Sequence, residues 1–226
     1  HSFPTRRSSD LTNTGWAAAV IHEKSGIELV YIPAGSFTMG SPANEAQRRN
    51  DETQHQVTLS QGFYMGKTEV TQGQWQKLMG KNPSYFKNAG MDAPVEQVSW
   101  DDCQEFCRKA GSGLRLPTEA QWEYACRAGT TGDYAGNLDE MAWYDKNSGS
   151  KTHPVGTKKA NPWGLYDMHG NVLEWCQDWY GTYPTGAVRD PTGAAGGSLR
   201  VPRGGCWINP AGVCRSASRA GLSPSY

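Results

Sequence analysis

From Gly129 to Tyr226 the sequence carries almost no helical or alternating period, yet it is crowded with Gly, Asn, Asp and aromatic residues. An irregular stretch of that length holds one shape only if something inside organises it. In this composition that means packed tryptophans, bound ions or both. The chain has the means: 9 Trp and 10 Tyr accompany 27 Gly and 13 Pro. A disordered chain would be poor in those aromatics. Without internal repeats or a break in composition, the economical reading is one α+β domain, low in regular structure and long in its loops.

Several classes of function fall away early. The 22 Lys and Arg balance the 22 Asp and Glu for a formal net charge of +0, so no global field draws the chain to nucleic acid or an anionic membrane. No apolar run approaches the roughly 20 residues of a membrane span. Residues 1–15 are polar, basic and aperiodic, with no secretory leader pattern; an artefact or a disordered tail is expected there. The domain is expected to occupy residues 28–226. Cys103, Cys107, Cys126, Cys176, Cys206 and Cys214 follow neither a CxxC nor a Cys/His zinc spacing, and the cellular compartment stays open. Gly66-Lys67-Thr68 lacks the first glycine of a phosphate loop, Gln61 standing in its place.

Local signals are clear in the first half. Glu28 to Ser41 predicts a strand or two ending in a turn at Gly40-Ser41-Pro42, and two further strands flank Gln61-Gly62. Three helices have legible starts. Thr71 with Gln74 and Thr118 with Gln121 are capping boxes, and Ser99 followed by Asp101 and Asp102 caps the middle helix. Gly80, Gly111 and Gly129 are expected to end them. Cys103, Cys107, Cys126 and Cys176 are expected to be small buried hydrophobes, and His153 and His169 hydrogen-bonding loop residues.

Seven segments then occur in a familiar order: IPAGSFTMGS, GFYMGKTEVTQGQW, NPSYF, PVEQVSWDDCQEFC, LRLPTEAQWEYACRAG, HPVGTKKANPWGLYDMHGNVLEWCQDWY and VPRGGCWINPAGVCRSASR. Together, from about Glu28 to Arg219, they resemble the formylglycine-generating enzyme family, also called the sulfatase-modifying factor domain. The resemblance implies a C-type-lectin-like variant fold and a calcium site. Carried across residue by residue, that site falls on Asp167, the carbonyls of Gly170 and Val172, and Glu174. Oxygen ligands of this kind suit calcium. The family pattern continues beyond Tyr226 into a closing strand, so a C-terminal truncation is expected.

The oxidases of that family use two cysteines, four residues apart after an Arg-Gly-Gly-Ser element, to bind copper(I) and convert a sulfatase cysteine to formylglycine. Here the element reads Arg203-Gly204-Gly205-Cys206, the first catalytic position falls on Asn209 and the second on Cys214. An amide oxygen is a hard, neutral ligand with little affinity for copper(I). Two readings follow. In the first, the domain is a non-oxidase accessory module that holds a peptide, protein or small ligand with Arg203, Trp207, Asn209, Arg215 and Arg219, the alternative for the arginines being pairing with Asp and Glu inside the domain. In the second it is a divergent copper oxidase using Cys214 with Cys206, acting on a sulfatase. Asn209 favours binding.

Overall fold

The computed structural model describes residues 15–226; the first fourteen residues of the expected tail lie outside them. Thr71, Ser99 and Thr118 each accept a hydrogen bond from the backbone N–H three residues on, and Gln74, Asp102 and Gln121 return the bond to the cap's own N–H. Three capping boxes thus start helices α1 (Gln72–Met79), α2 (Trp100–Ala110) and α3 (Glu119–Arg127). Asp102, expected to complement the helix dipole, also closes its box. Gly80 ends α1 in the left-handed region, whereas α3 ends on Ala128, one residue before the expected Gly129. A one-turn helix, α4 (Leu138–Met141), begins at Asn137.

The strands form three small sheets. Strands β1 (Ala19–Ile21), β2 (Glu28–Ile32) and β5 (Phe63–Gly66) make an antiparallel sheet in the order β1-β2-β5. Ordered structure therefore starts before Glu28. Strands β3 (Gly35–Met39) and β4 (His55–Leu59) pair antiparallel, and the two-residue β7 (Val188–Arg189) adds in parallel to β4. Strands β6 (Glu174–Trp179) and β8 (Arg200–Arg203) form a two-stranded ribbon with an irregularity between Trp175 and Trp179. No described helix is long and apolar enough to cross a membrane.

Three apolar clusters are found among the described residues, the smallest joining Ala142, Tyr144 and Cys214. The largest gathers Ile32, Met39, Val57, Trp122, Leu165 and Val201 around α3. The second joins Ile27, Trp75, Val95 and Phe106 between α1 and α2, with Trp75 stacked on Phe106 at 5.0 Å. Cys126 and Cys176 are buried as expected, while Cys103 and Cys107 are half-buried at the edge of the second cluster. The long irregular half is tied down by single contacts from side chain to backbone. Asn161 donates to the carbonyls of Ala125 and Cys126, and Asn171 joins Glu69 to the carbonyl of His153.

Candidate functional site

Helix α3 carries Glu119, Glu123 and Arg127 at i, i+4 spacing, and all three are buried. Glu123 and Glu119 are the internal partners of Arg203 and Arg219 in the C-terminal segment, and Glu123 also pairs with Arg127. Arg203, at the end of β8, donates to the Glu123 carboxylate and to the carbonyls of Ser216, Ala217 and Ser218. Arg219 forms a fork on Glu119 with distances of 2.8 and 2.7 Å. Arg215 is paired with Glu45 and forks onto Glu52. Their exposures are 1%, 3% and 1% respectively. Of the two readings of the arginines, internal pairing is present: all three guanidinium groups are committed to carboxylates inside the domain, while the three residues also contribute to the lining of a cleft at the surface. A buried arginine is tolerable only with such a partner, so the burial itself demanded the pairing.

The loop between these arginines is held almost as firmly. Gly204 and Gly205 both have positive φ, at 90° and 74°. A Cβ on Gly205 would lie 2.7 Å from Cys214 Sγ, so no side chain fits there. Asn209 Oδ1 accepts from both the backbone N–H and the thiol of Cys206, each at 3.0 Å. Trp207 N donates to Asn171 O, Asp145 N to Asn209 O, and Ser148 Oγ to Trp207 O. Three backbone groups of the loop, on Trp207 and Asn209, are thereby pinned to the body of the protein. Two of its side chains project by contrast: Ile208 is 61% exposed and Val213 38%. Trp207 meets Phe86 edge-on at 5.2 Å, and Phe86 meets the exposed Tyr85. Beside this crest lies a cleft of about 170 Å³ whose lining includes Pro202, Pro210 and Val213 together with Arg203, Arg215 and Arg219.

Cys214 and Cys206 are both free thiols. Cys214 is fully buried, and burial pushes its thiol up to about 12; burial also raises Cys206, which stays half-buried. Neither is held as a thiolate, the form that binds soft metals. Behind Cys214 sits His169, fully buried, with Nδ1 2.7 Å from Cys214 O and Nε2 accepting from Ala135 N at 3.2 Å. That network assigns the proton to Nδ1. Burial lowers the imidazole to about 4. His153 stacks on Trp143 at 3.7 Å.

Of the expected calcium residues, the Asp167 and Glu174 carboxylates lie close enough for the first to raise the proton affinity of the second. Asp167, buried and at φ 59°, accepts from Gly156 N with Oδ2, while its Oδ1 is buried without a hydrogen-bond partner. Glu174 accepts from the indole of Trp122. A third carboxylate, Glu69, went unnoticed in the sequence, where it sits in an ordinary strand-to-helix turn. It accepts from Asn171 Nδ2 and Val172 N. Burial raises all three, Asp167 to about 6 and Glu174 to about 7, and Asp167 and Glu174 push Glu69 further up. Among the described residues no Lys or Arg forms an ion pair with any of the three. Gly170 is fixed as glycine, since a Cβ there would lie 2.2 Å from Trp143 O. Among the described residues no three His, Cys, Asp or Glu side chains converge as ligands by themselves, so a site here needs carbonyl oxygens too. An orphaned carboxylate oxygen within uncompensated acidic charge suits a hard, oxygen-seeking cation.

Comparison with known proteins decides the family. The sequence profile of the sulfatase-modifying factor enzyme 1-like domain matches residues 18–226. The chain belongs to the formylglycine-generating enzyme family. The chaperone protein LppX of Paenibacillus barcinonensis is 33% identical over 241 residues, covering 80% of this chain and 79% of that protein. The formylglycine-generating enzyme of Mus musculus is 27% identical over 268 residues, covering 87% and 71%. Among solved structures, Treponema denticola variable protein 1 superposes with a TM-score of 0.79 at 34% identity, covering 88% of this chain and 91% of that one. The fold is that of the family, α+β with modest regular structure. Relatives named as a chaperone and as an enzyme share it, so membership alone does not choose between binding and oxidation.

Proposed function

We propose that this family member is a non-oxidase binding module, and that the rigid loop at residues 206–213 presents its apolar crest to a peptide or protein segment. The observation that carries this reading is the contrast within one segment. The backbone of the loop is pinned at Trp207 and Asn209, yet Ile208 between them projects with 61% of its surface exposed. Rigid loops that display apolar and aromatic side chains lose little entropy when a partner docks. Arg203, Arg215 and Arg219 line the cleft with their charges paired internally, so recognition rests on apolar contact and hydrogen bonds more than on net positive charge.

The oxidase reading is disfavoured by the same loop. A copper(I) site needs two thiolates. Asn209 holds the first family position and accepts a hydrogen bond from Cys206, while Cys214 is buried and its thiol raised. The module further binds calcium as a structural ion: Asp167, Glu174 and the carbonyls of Gly170 and Val172 would hold it. Its chemistry there is charge neutralisation of the buried acids.

Two measurements test this. Peptides selected from a random library on the wild-type protein should lose binding at least tenfold to Ile208→Asp and Trp207→Ala, with both variants still folded. Equal binding to Ile208→Asp would remove the crest from the proposal. The oxidase arm is tested by an anaerobic copper(I) titration with Cys206→Ser and Cys214→Ser. Tight one-to-one binding lost in both variants, followed by oxygen consumption on a Cys-x-Pro-x-Arg peptide, would overturn the non-oxidase reading.

A further inference from the structure

The loop that bears Trp207 and Ile208 and the buried acids around Asp167 share one short stretch of backbone. On one side, Gly170 N donates to Gly204 O at 2.8 Å, and Asn171 O accepts from Trp207 N at 2.9 Å. Glu174 on β6 stands opposite Arg203 on β8, the residue from which the glycine turn departs. On the other side, Asn171 Nδ2 and Val172 N both donate to Glu69, at 2.8 and 3.0 Å. Asp167 and Glu174 lie near enough to act on Glu69 electrostatically. Asp167 is 2% exposed, and its Oδ1 is buried without a hydrogen-bond partner. Residues 170–174 therefore touch the crest and the acids at once.

That stretch is held in an unusual conformation. Asp167, Gly170 and Asn171 take φ values of 59°, 84° and 56°, and non-glycine residues persist there only where the surroundings over-determine them. Three buried acids without a cationic partner work against such order, because like charges repel strongly where water is excluded. A cation reverses the sign of that contribution. The carbonyls of Gly170 and Val172, which would hold it, belong to the peptide planes on either side of the Asn171 carbonyl. Fixing both neighbours fixes the direction of the oxygen that Trp207 N–H donates to.

We propose that a calcium-type cation held by Asp167 and Glu174 controls the crest, ordering the loop at Trp207 through Asn171 and tightening the partner bound at Ile208. This deepens the crest reading and rests on it for the effect on binding, whereas the ordering of the loop stands without it. Linkage makes the effect reciprocal: a crest partner tightens the cation by the same factor.

Amide hydrogen exchange on the full chain, in calcium chloride and in EDTA, tests the ordering without any partner. The Trp207 amide should exchange at least tenfold more slowly with calcium. The Asp190 amide, bonded to Thr58 O on the separate β4–β7 edge, should change little. Asp167→Asn with Glu174→Gln should remove the slowing at Trp207; the wild-type comparison needs no variant if that protein fails to fold. No slowing at Trp207, or equal slowing at Trp207 and Asp190, would overturn the proposal, since the ion would then be absent or would stabilise the whole fold alike. The binding arm uses the library-selected peptide of the crest test. Its Kd should rise at least tenfold in EDTA, and the Kd for calcium should fall by the same factor in saturating peptide. Equal peptide affinity in calcium and EDTA would leave the crest reading intact and overturn control by the ion.

Discussion

Replacing Glu123 by Gln tests whether the buried ion pairs are what join α3 to the C-terminal segment. Glu123 is 0% exposed. Its Oε1 accepts from Gly40 N and from Arg127 Nε, each at 2.9 Å, and its Oε2 accepts from Arg203. The amide keeps the shape, removes the charge and presents an NH2 group to one of these donors. Arg127 and Arg203 stay buried, at 5% and 1% exposure, and Glu119, 3.6 Å from Arg203 and already forked by Arg219, is the acid left to serve them. Breaking a buried pair by removing one partner costs about 3–5 kcal/mol. For a domain of this size each kcal/mol moves Tm by about 2–4 °C, so Glu123→Gln should lower Tm by roughly 6–20 °C. Calorimetry and urea denaturation measure this directly. The control is Glu105→Gln, which breaks a two-bond contact of similar length to Arg108 on the exposed face of α2. Its Tm should not move, because solvent screens that pair. A Glu123→Gln protein melting within two or so degrees of wild type would refute the reasoning, and with it the claim that the arginines serve the fold.

Other outcomes follow from the same geometry. Calcium should raise Tm of chelator-treated protein, and Asp167→Asn with Glu174→Gln should abolish the rise; an equal rise in the double variant would remove the ion from these residues. His169 is held neutral in the fold, its imidazole lowered to about 4 from 6.5. The unfolded chain therefore takes up the proton first as pH falls, and the stability contributed by His169 is full above about pH 6.5 and lost between there and pH 4. In saturating calcium, His169→Gln should flatten that part of the stability curve; an unchanged slope would contradict the assignment. Cys126, Cys176 and Cys214 should resist iodoacetamide at pH 8 until the protein unfolds, while half-buried Cys206 reacts first; mass spectrometry of labelled peptides reads this out.

Much of the fold was legible in the sequence because it is written locally. A capping box occupies four consecutive residues, so Thr71, Ser99 and Thr118 announced α1, α2 and α3 without reference to anything distant. The turn at Gln61-Gly62 separated β4 from β5 for the same reason. The family too was carried by ordered motifs, and with it Asp167 and Glu174 as a pair. Asn209 in place of a cysteine was decided by sequence alone, since no fold turns an amide into a thiolate.

Tertiary structure decided what the charges do. Arg203, Arg215 and Arg219 read as surface contacts because arginine is ordinarily exposed. Only tertiary packing brought up their partners, Glu123 for Arg203, Glu119 for Arg219 and Glu52 for Arg215, each 80 or more residues away in the chain. Glu69 joined Asp167 and Glu174 across a separation of about a hundred residues, as its bond to Val172 N records. The unanswered oxygen of Asp167 is likewise invisible in a string, where the residue is simply an acid in a loop. Local hydrogen bonding is short-ranged and leaves a sequence signature. The desolvation of a charge or a donor depends on every element packed around it, and the order of residues along the chain does not record that.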